Sequence, residues 1–297
     1  MTAENTAAAT RMPGWLLVVV AVFSVQFGNA IGGSLFGLAG PLGAATLRLC
    51  FAAVILLAIV RPRVRDWNRR QWIGAAALGL AMAGMNACIC LAIDRIPIGI
   101  AVTIELLGPL SVAAIGVRRV IDALWVALAL AGIVLLGSGI GSGEGSGDLS
   151  GLGSLPLAGV LAAVAAAAFW ALYIVASARL GPSVRGVDGL AVALAIGAVL
   201  VLPFGGAQAY SGVVATPWLL AAFAGLALLT SVIPYGLEFV ALKRMPSRVF
   251  GVLSSLGPAV AALAGLAVLG QGLSPVQLGA IVLVVIASAG AVYARKA

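Results

Sequence analysis

Ten runs of about twenty apolar residues, separated by short loops, leave this chain few environments to fold in other than a lipid bilayer. The runs fall near 15–34, 41–60, 72–93, 97–117, 121–139, 155–178, 186–205, 217–241, 247–269 and 275–294. A helix rises about 1.5 Å per residue, so each run matches a hydrocarbon core of roughly 30 Å. The chain is 63% hydrophobic and 9% charged, whereas a soluble domain carries about 25% charged residues. The expected fold class is an all-α polytopic membrane protein. Arg11 and the run from Trp15 also fit a signal peptide. Similar runs recur along the whole chain, however, and no small-residue cleavage site stands out, so this run is assigned as the first span.

Loop charges test the assignment. With a cytoplasmic N-terminus, the cytoplasmic segments hold Arg11, the cluster Arg61, Arg63, Arg65, Arg69 and Arg70, then Arg118 and Arg119. Next come Arg179 and Arg185, then Lys243, Arg244 and Arg248, and finally Arg295 and Lys296. That is 15 of the 17 positive residues; Arg95 falls outside, and Arg48 lies within a span. The loops near 35–40, 140–154, 205–216 and 270–274 carry none. This positive-inside pattern supports ten spans in the cytoplasmic (inner) membrane with both termini cytoplasmic. The net charge of +8 invites a nucleic-acid reading. With no basic face and no aromatic interleaving, that reading is rejected.

The chain also repeats itself. Arg95-Ile96-Pro97, Gly108-Pro109, Ala113 and Gly116 recur as Arg244-Met245-Pro246, Gly257-Pro258, Ala262 and Gly265, each pair 149 residues apart. Five spans per half is an odd number, so the second half enters the membrane from the opposite side. The expected organisation is a cytoplasmic tail 1–14, a first repeat 15–139, a glycine- and serine-rich periplasmic linker 140–154, a second repeat 155–294 and a cytoplasmic end 295–297. Inverted repeats are the architecture of many secondary transporters, with the substrate site near the midplane between the halves.

Polar groups at that depth are expensive, about 2.5–3.5 kcal/mol for a charge on insertion scales, and are expected to face the interior. They are Gln26, Asn29, Arg48, Asn86, Thr103 and Glu105 in the first half, and Trp170, Tyr173, Ser177, Tyr235, Glu238, Ser254 and Ser255 in the second. Glu105 is the deepest carboxylate, ~12 Å beyond Pro97 along a helix axis. Pro109 cannot donate to the carbonyl of Glu105, and Pro258 cannot donate to that of Ser254, so both prolines mark helix kinks. Glu105 reads either as a structural partner of Arg48 or as a group that binds substrate or a proton. Arg48 suits a substrate carboxylate, an ion pair with Glu105, or snorkelling. Glu238 reads as a gate or as a binding residue. Gln26, Asn29 and Asn86 either hydrogen-bond a zwitterion or join helices. Trp170 and Tyr173 share a helix face and, with Tyr235, either wall a pocket or pack as ordinary core aromatics. Gly28/Gly32 and Gly33/Gly37 are GxxxG pairs suited to close helix approach.

Enzyme chemistry finds no support. The chain has no histidine, and HExxH, Walker and GxSxG motifs are missing. Cys50, Cys88 and Cys90 sit inside apolar runs without metal spacing. Gly145-Ser146-Gly147-Asp148 matches the GxGD string of intramembrane aspartyl proteases, but it lies in the linker and lacks a second intramembrane aspartate. No cofactor or metal is expected.

Several uncommon intramembrane strings carry a family resemblance. They are Ser24-Val25-Gln26, Ser34-Leu35-Phe36, Thr46-Leu47-Arg48-Leu49, Gly84-Met85-Asn86, and Pro97 to Val102 followed by Glu105 and Gly108-Pro109-Leu110. Further on come Arg118-Arg119, Trp170-Ala171-Leu172-Tyr173-Ile174, Pro234 to Glu238, Arg248, Phe250-Gly251 and Pro258-Ala259. From about residue 13 to 294 the chain resembles EamA-type exporters of the drug/metabolite transporter superfamily, in particular the threonine and homoserine exporters. The resemblance implies ten spans, export of small neutral amino acids, and proton coupling. Relatives often have glutamate before the second proline, where this chain has Gly257. If that carboxylate carries protons in relatives, this chain would use Glu105 or Glu238, or work uncoupled.

The combined expectation is an amino-acid exporter working by alternating access. Arg48 receives the substrate carboxylate and Glu105 its ammonium or a proton. Gln26, Asn86 and Tyr235 complete the polar wall, Trp170 and Tyr173 limit side-chain size, and Glu238 serves as a gate or second proton group. The rival readings are the same fold with another substrate (aromatic amino acids, nucleosides, drugs) and a membrane scaffold or receptor without transport.

Overall fold

The structure, a computed structural model, describes residues 12–114, 156–254, 256–270 and 274–293, with isolated positions between 124 and 135. The fifth span expected at 121–139, the linker at 140–154 with its GxGD string, Ser255, and most of both terminal tails fall outside the described residues or reach them only at isolated positions. Among the described residues all regular structure is helical.

The first half contains α1 (Gly14–Gly33), the short α2 (Phe36–Ala39), α3 (Pro41–Val60), α4 (Arg69–Ile93), α5 (Ile98–Glu105) and α6 (Leu107–Ala114). The second contains α7 (Leu157–Leu180), α8 (Asp188–Ala215), α9 (Leu219–Ala227), α10 (Ile233–Arg244), α11 (Ser247–Ser254), α12 (Gly257–Leu269) and α13 (Pro275–Tyr293). Among the described residues, six continuous helical stretches are long and apolar enough to cross a membrane: α1, α3, α4, α7, α8 and the joined run Leu219–Arg244. Large apolar side chains such as Phe23, Val54, Leu161, Val199 and Phe204 are exposed on their outer faces. A soluble protein avoids that much exposed apolar surface, and lipid accepts it.

Prolines shape three of the spans. Pro109 sits in the first turn of α6, so the run expected as the fourth span breaks at Leu106, between α5 and α6. Pro258 likewise lies in the first turn of α12, which follows α11 as a separate helix in the run expected as the ninth span. In the eighth span a π-helical turn at Leu228–Val232 precedes Pro234. The π pattern would pair the Leu229 carbonyl with the Pro234 nitrogen, which has no hydrogen. The Ser24 hydroxyl donates to that carbonyl instead, at 2.6 Å. Pro203, by contrast, does not end its helix. The seventh span, expected to stop at 205, continues to Ala215. Gly205 serves as a contact and not a stop, because a Cβ there would overlap the Leu42 carbonyl of α3.

Close backbone approach holds the bundle together. α4 packs along α7 and α8, α3 along α8, and α1 between α10 and α12. A Cβ on Gly108 would collide with the Ala167 carbonyl of α7, and one on Gly28 with Thr230. The GxxxG expectation holds for Gly28 and Gly32, which face Thr230 and Leu226, whereas Gly37 has open space around it. The largest core cluster joins α1, α3, α4, α7, α8 and α10 around Leu49, Leu78, Met82, Tyr173 and Phe239.

Candidate functional site

The buried polar residues converge where α1, α3, α4 and α10 meet. Arg48 lies two turns into α3 and is 3% exposed. Its Nη1 donates to Asn29 Oδ1 of α1 at 2.8 Å, and its Nη2 donates to Asn86 Oδ1 of α4. Asn86 then uses both amide hydrogens, donating to the Met82 carbonyl at 2.8 Å and to Tyr235 Oη of α10 at 2.6 Å. Every hydrogen-bonding group of the Asn86 side chain is therefore engaged. Asn29, read from sequence as either helix glue or ligand contact, is a direct support of the guanidinium. Its spacing of three from Gln26 on one helix was the available signal.

The ion pair considered between Arg48 and Glu105 is not formed. Among the described residues the one ion pair of described geometry is Arg95–Asp94 at 3.4 Å, on the surface. Two neutral amides reach the guanidinium first, and Glu105 stands on a different wall, at the end of α5. Glu105 is buried and within electrostatic range of Arg48 and Glu238. Its neighbour Thr103 donates back to the Gly99 carbonyl at 2.6 Å, and Ser254 donates to Phe250 at 2.9 Å. These two hydroxyls are committed to their own helices and offer little to a ligand.

Glu238 is buried one turn along α10 from Tyr235. The Tyr173 hydroxyl lies toward Glu238 and the Ser177 hydroxyl toward Tyr173, neither closing a well-formed hydrogen bond. The Tyr173 and Tyr235 rings pack at 5.6 Å and 45°. Trp170 is half-buried at the edge of the same core cluster and makes no ring contact with either tyrosine. Gln26 is buried in α1, and a Cβ on Gly257 would lie 3.5 Å from its Nε2.

Four buried polar atoms in this region have no partner: Gln26 Oε1, Arg48 Nε, Tyr173 Oη and Ser177 Oγ. Each such atom costs about 1–3 kcal/mol when left unsatisfied. A cluster of them beside a fixed cation and two carboxylates has the make-up of a polar binding site in an apolar body. Among the described residues no group of three metal-ligating side chains occurs, and nothing pairs a nucleophile with a base.

Comparisons with known proteins agree with this picture. The EamA-like transporter family matches residues 157–293. The threonine/homoserine exporter RhtA of Escherichia coli strain K12 is 36% identical over 285 residues, covering 94% of this chain and 92% of the exporter. RhtA of Salmonella typhimurium strain LT2 gives the same identity and coverage. A solved crystal structure matches the fold with a TM-score of 0.62 at 21% identity, covering 96% of this chain and 98% of that one. These relatives are transporters, not enzymes. Together with the membrane-spanning helices, they establish that this chain belongs to the EamA-like transporter family.

Proposed function

We propose that this protein exports small amino acids of the threonine and homoserine type across the cytoplasmic membrane, by alternating access between two inverted five-helix halves. The carrying observation is the state of Arg48: a buried guanidinium held by the neutral amides of Asn29 and Asn86, with Nε free. An amide-held cation keeps its full charge for a ligand. A guanidinium suits a carboxylate, and Glu105 or Glu238 suits an ammonium. Arg48, Gln26, Asn86, Glu105, Trp170, Tyr173 and Tyr235 then form the substrate site. RhtA, named for threonine and homoserine export, supports this substrate class.

Packing supports the inverted halves, 15–139 and 155–294. If α1 corresponds to α7 and α4 to α10, the contact of α1 with α10 has its counterpart in α7 with α4. The contact of α1 with the ninth span is matched by that of α7 with the fourth. The two broken spans lie against each other in opposite senses, α5 on α12 and α6 on α11. Such symmetry suits two states of nearly equal energy. Loop charges support cytoplasmic termini.

Charge counting supports proton coupling. With Arg48, Glu105 and Glu238 all ionised the site carries one net negative charge. A zwitterion leaves that unchanged, whereas one proton neutralises it. A proton at Glu105 or Glu238 thus competes with substrate ammonium. The test uses vesicles loaded with labelled threonine, comparing wild type with Glu105→Gln under a pH gradient. Efflux that follows the gradient in wild type and loses that dependence in the variant is expected. Unchanged rate and unchanged pH dependence would remove Glu105 from the coupling role, and no efflux of any amino acid would remove the substrate assignment. The Tyr173–Tyr235 ring pair favours one second reading, aromatic amino acids as substrates, and the same vesicles loaded with phenylalanine separate the two.

A further inference from the structure

A groove of about 570 Å³ runs between α4 and α7 at the arginine-rich end of the bundle, away from the Arg48 site. Its rim carries Arg70, Arg179, Gln71 and Ser183, and its floor is apolar, with Ile73, Ala77, Leu172 and Val175. No acidic side chain lines it. Neither arginine forms an ion pair among the described residues. Arg70 lies in the first turn of α4, where the helix dipole disfavours a cation and favours an anion.

The rim is built rather than loose. Asn68 and Gln71 form a reciprocal cap on α4, with Gln71 N donating to Asn68 Oδ1 at 3.0 Å and Asn68 N donating to Gln71 Oε1 at 2.9 Å. Gln71 Nε2 then donates to the Ser183 carbonyl, tying the start of α4 to the turn after α7. Height in the membrane follows from Trp67 and Trp72, which flank Arg70 in sequence and pack edge to face on each other at 5.4 Å. Tryptophans mark the headgroup level. The arginines thus stand at phosphate height, and the floor lies at acyl-chain depth. Ile73 and Leu172 are exposed, so the floor opens sideways to lipid.

We infer that this groove binds an anionic phospholipid, its phosphate between Arg70 and Arg179 and an acyl chain along Ile73 and Val175. Basic pockets between transmembrane helices on the cytoplasmic side recognise acidic headgroups. A free phosphate would meet the rim alone and leave the apolar floor uncovered.

The test is native mass spectrometry of the purified, delipidated protein with phosphatidylglycerol and phosphatidylcholine of identical chains. Wild type should retain phosphatidylglycerol at least about tenfold better, since each arginine near an anionic headgroup contributes roughly a fivefold preference. Arg70→Gln with Arg179→Gln should abolish the preference. Arg65→Gln with Arg185→Gln removes equal charge outside the groove and should keep it. Ala77→Trp, which fills the floor and leaves the arginines, should also lose the lipid. Equal retention of both lipids, or equal loss in the Arg65/Arg185 control, overturns the site. So does displacement by soluble glycerol phosphate with Ala77→Trp unaffected, because that marks an anion rim and not a lipid groove.

Discussion

Asn86 Nδ2 donates to Tyr235 Oη at 2.6 Å, and these residues stand 149 positions apart. The same interval separates Pro109 from Pro258 and Gly108 from Gly257. Corresponding positions of the two sequence repeats therefore touch. In the proposed inverted arrangement this is where an axis relating the halves would pass. The pair is not symmetric in chemistry: the first repeat contributes an amide and the second a phenol. That amide also holds Arg48, so the contact between halves and the cation of the candidate site share one side chain.

Tyr235→Phe removes one hydrogen bond and keeps the ring against Tyr173. Losing a partner of a buried amide costs about 1–3 kcal/mol. Binding of threonine should weaken several-fold while the melting temperature falls modestly. Asn86→Leu removes the support of Arg48 as well and should reduce export by at least about a hundredfold. In a double-mutant cycle the two substitutions should be non-additive by about 0.5 kcal/mol or more. Strict additivity would mean that the hydrogen bond carries no coupling.

Arg48→Lys preserves the charge but not the fork that reaches Asn29 and Asn86 together. A single ammonium cannot hold both amides and also face a carboxylate with planar geometry. Threonine export should drop by about tenfold or more, and Arg48→Gln should drop further. Wild-type transport in Arg48→Lys would show that point charge alone suffices, and would move the carboxylate contact elsewhere.

Gly257→Glu is expected to fold. A Cβ there meets only Gln26 Nε2 at 3.5 Å and Val102 Cγ1 at 3.7 Å, which is ordinary contact. The new carboxylate would arise beside Gln26. In the Glu105→Gln background it should restore part of any lost pH dependence. Comparison of efflux from pH 6 to 8 in the single and double variants measures this, and no restoration would place proton handling away from Gln26.

Gly108→Ala and Gly236→Ala separate packing from propensity. A methyl at Gly108 strikes the Ala167 carbonyl, whereas one at Gly236 finds nothing within 4 Å. The first should destabilise by about 1–3 kcal/mol through overpacking of α6 on α7. The second should be neutral or stabilising by up to about 1 kcal/mol. Thermal melts in detergent monitored by size exclusion read both, and equal shifts would refute the α6–α7 contact.

Much of this was legible one residue type at a time. The kinks followed from Pro109 and Pro258 because a missing N–H is a local property of the backbone. Gln26, Arg48, Asn86, Glu105 and Tyr235 stood out because polar groups are costly at membrane depth wherever they point. The close contact of Tyr173 with Tyr235 was among the options that aromatic spacing allowed. What was not legible was partnership. Ser24 on the Leu229 carbonyl depends on a π turn whose existence no local pattern announced. Gly205 looked like a helix end and is a helix contact, because a glycine reads alike in both roles until its neighbour is in place.

The sequence alone determined the solvent of this protein, the spacing of its apolar runs, and the 149-residue repeat of short motifs. Those properties are sums over many residues or covalent facts about a few, and tertiary packing does not alter them. Tertiary structure decided what Arg48 holds. From sequence, the opposite charge of Glu105 was one candidate partner, beside a substrate carboxylate, and no amide was among the candidates. In the fold, Asn29 of α1 and Asn86 of α4 reach the guanidinium first. Glu105 ends α5 on another wall and makes no ion pair. Charge identifies which groups attract; helix packing sets which of them come within hydrogen-bonding distance.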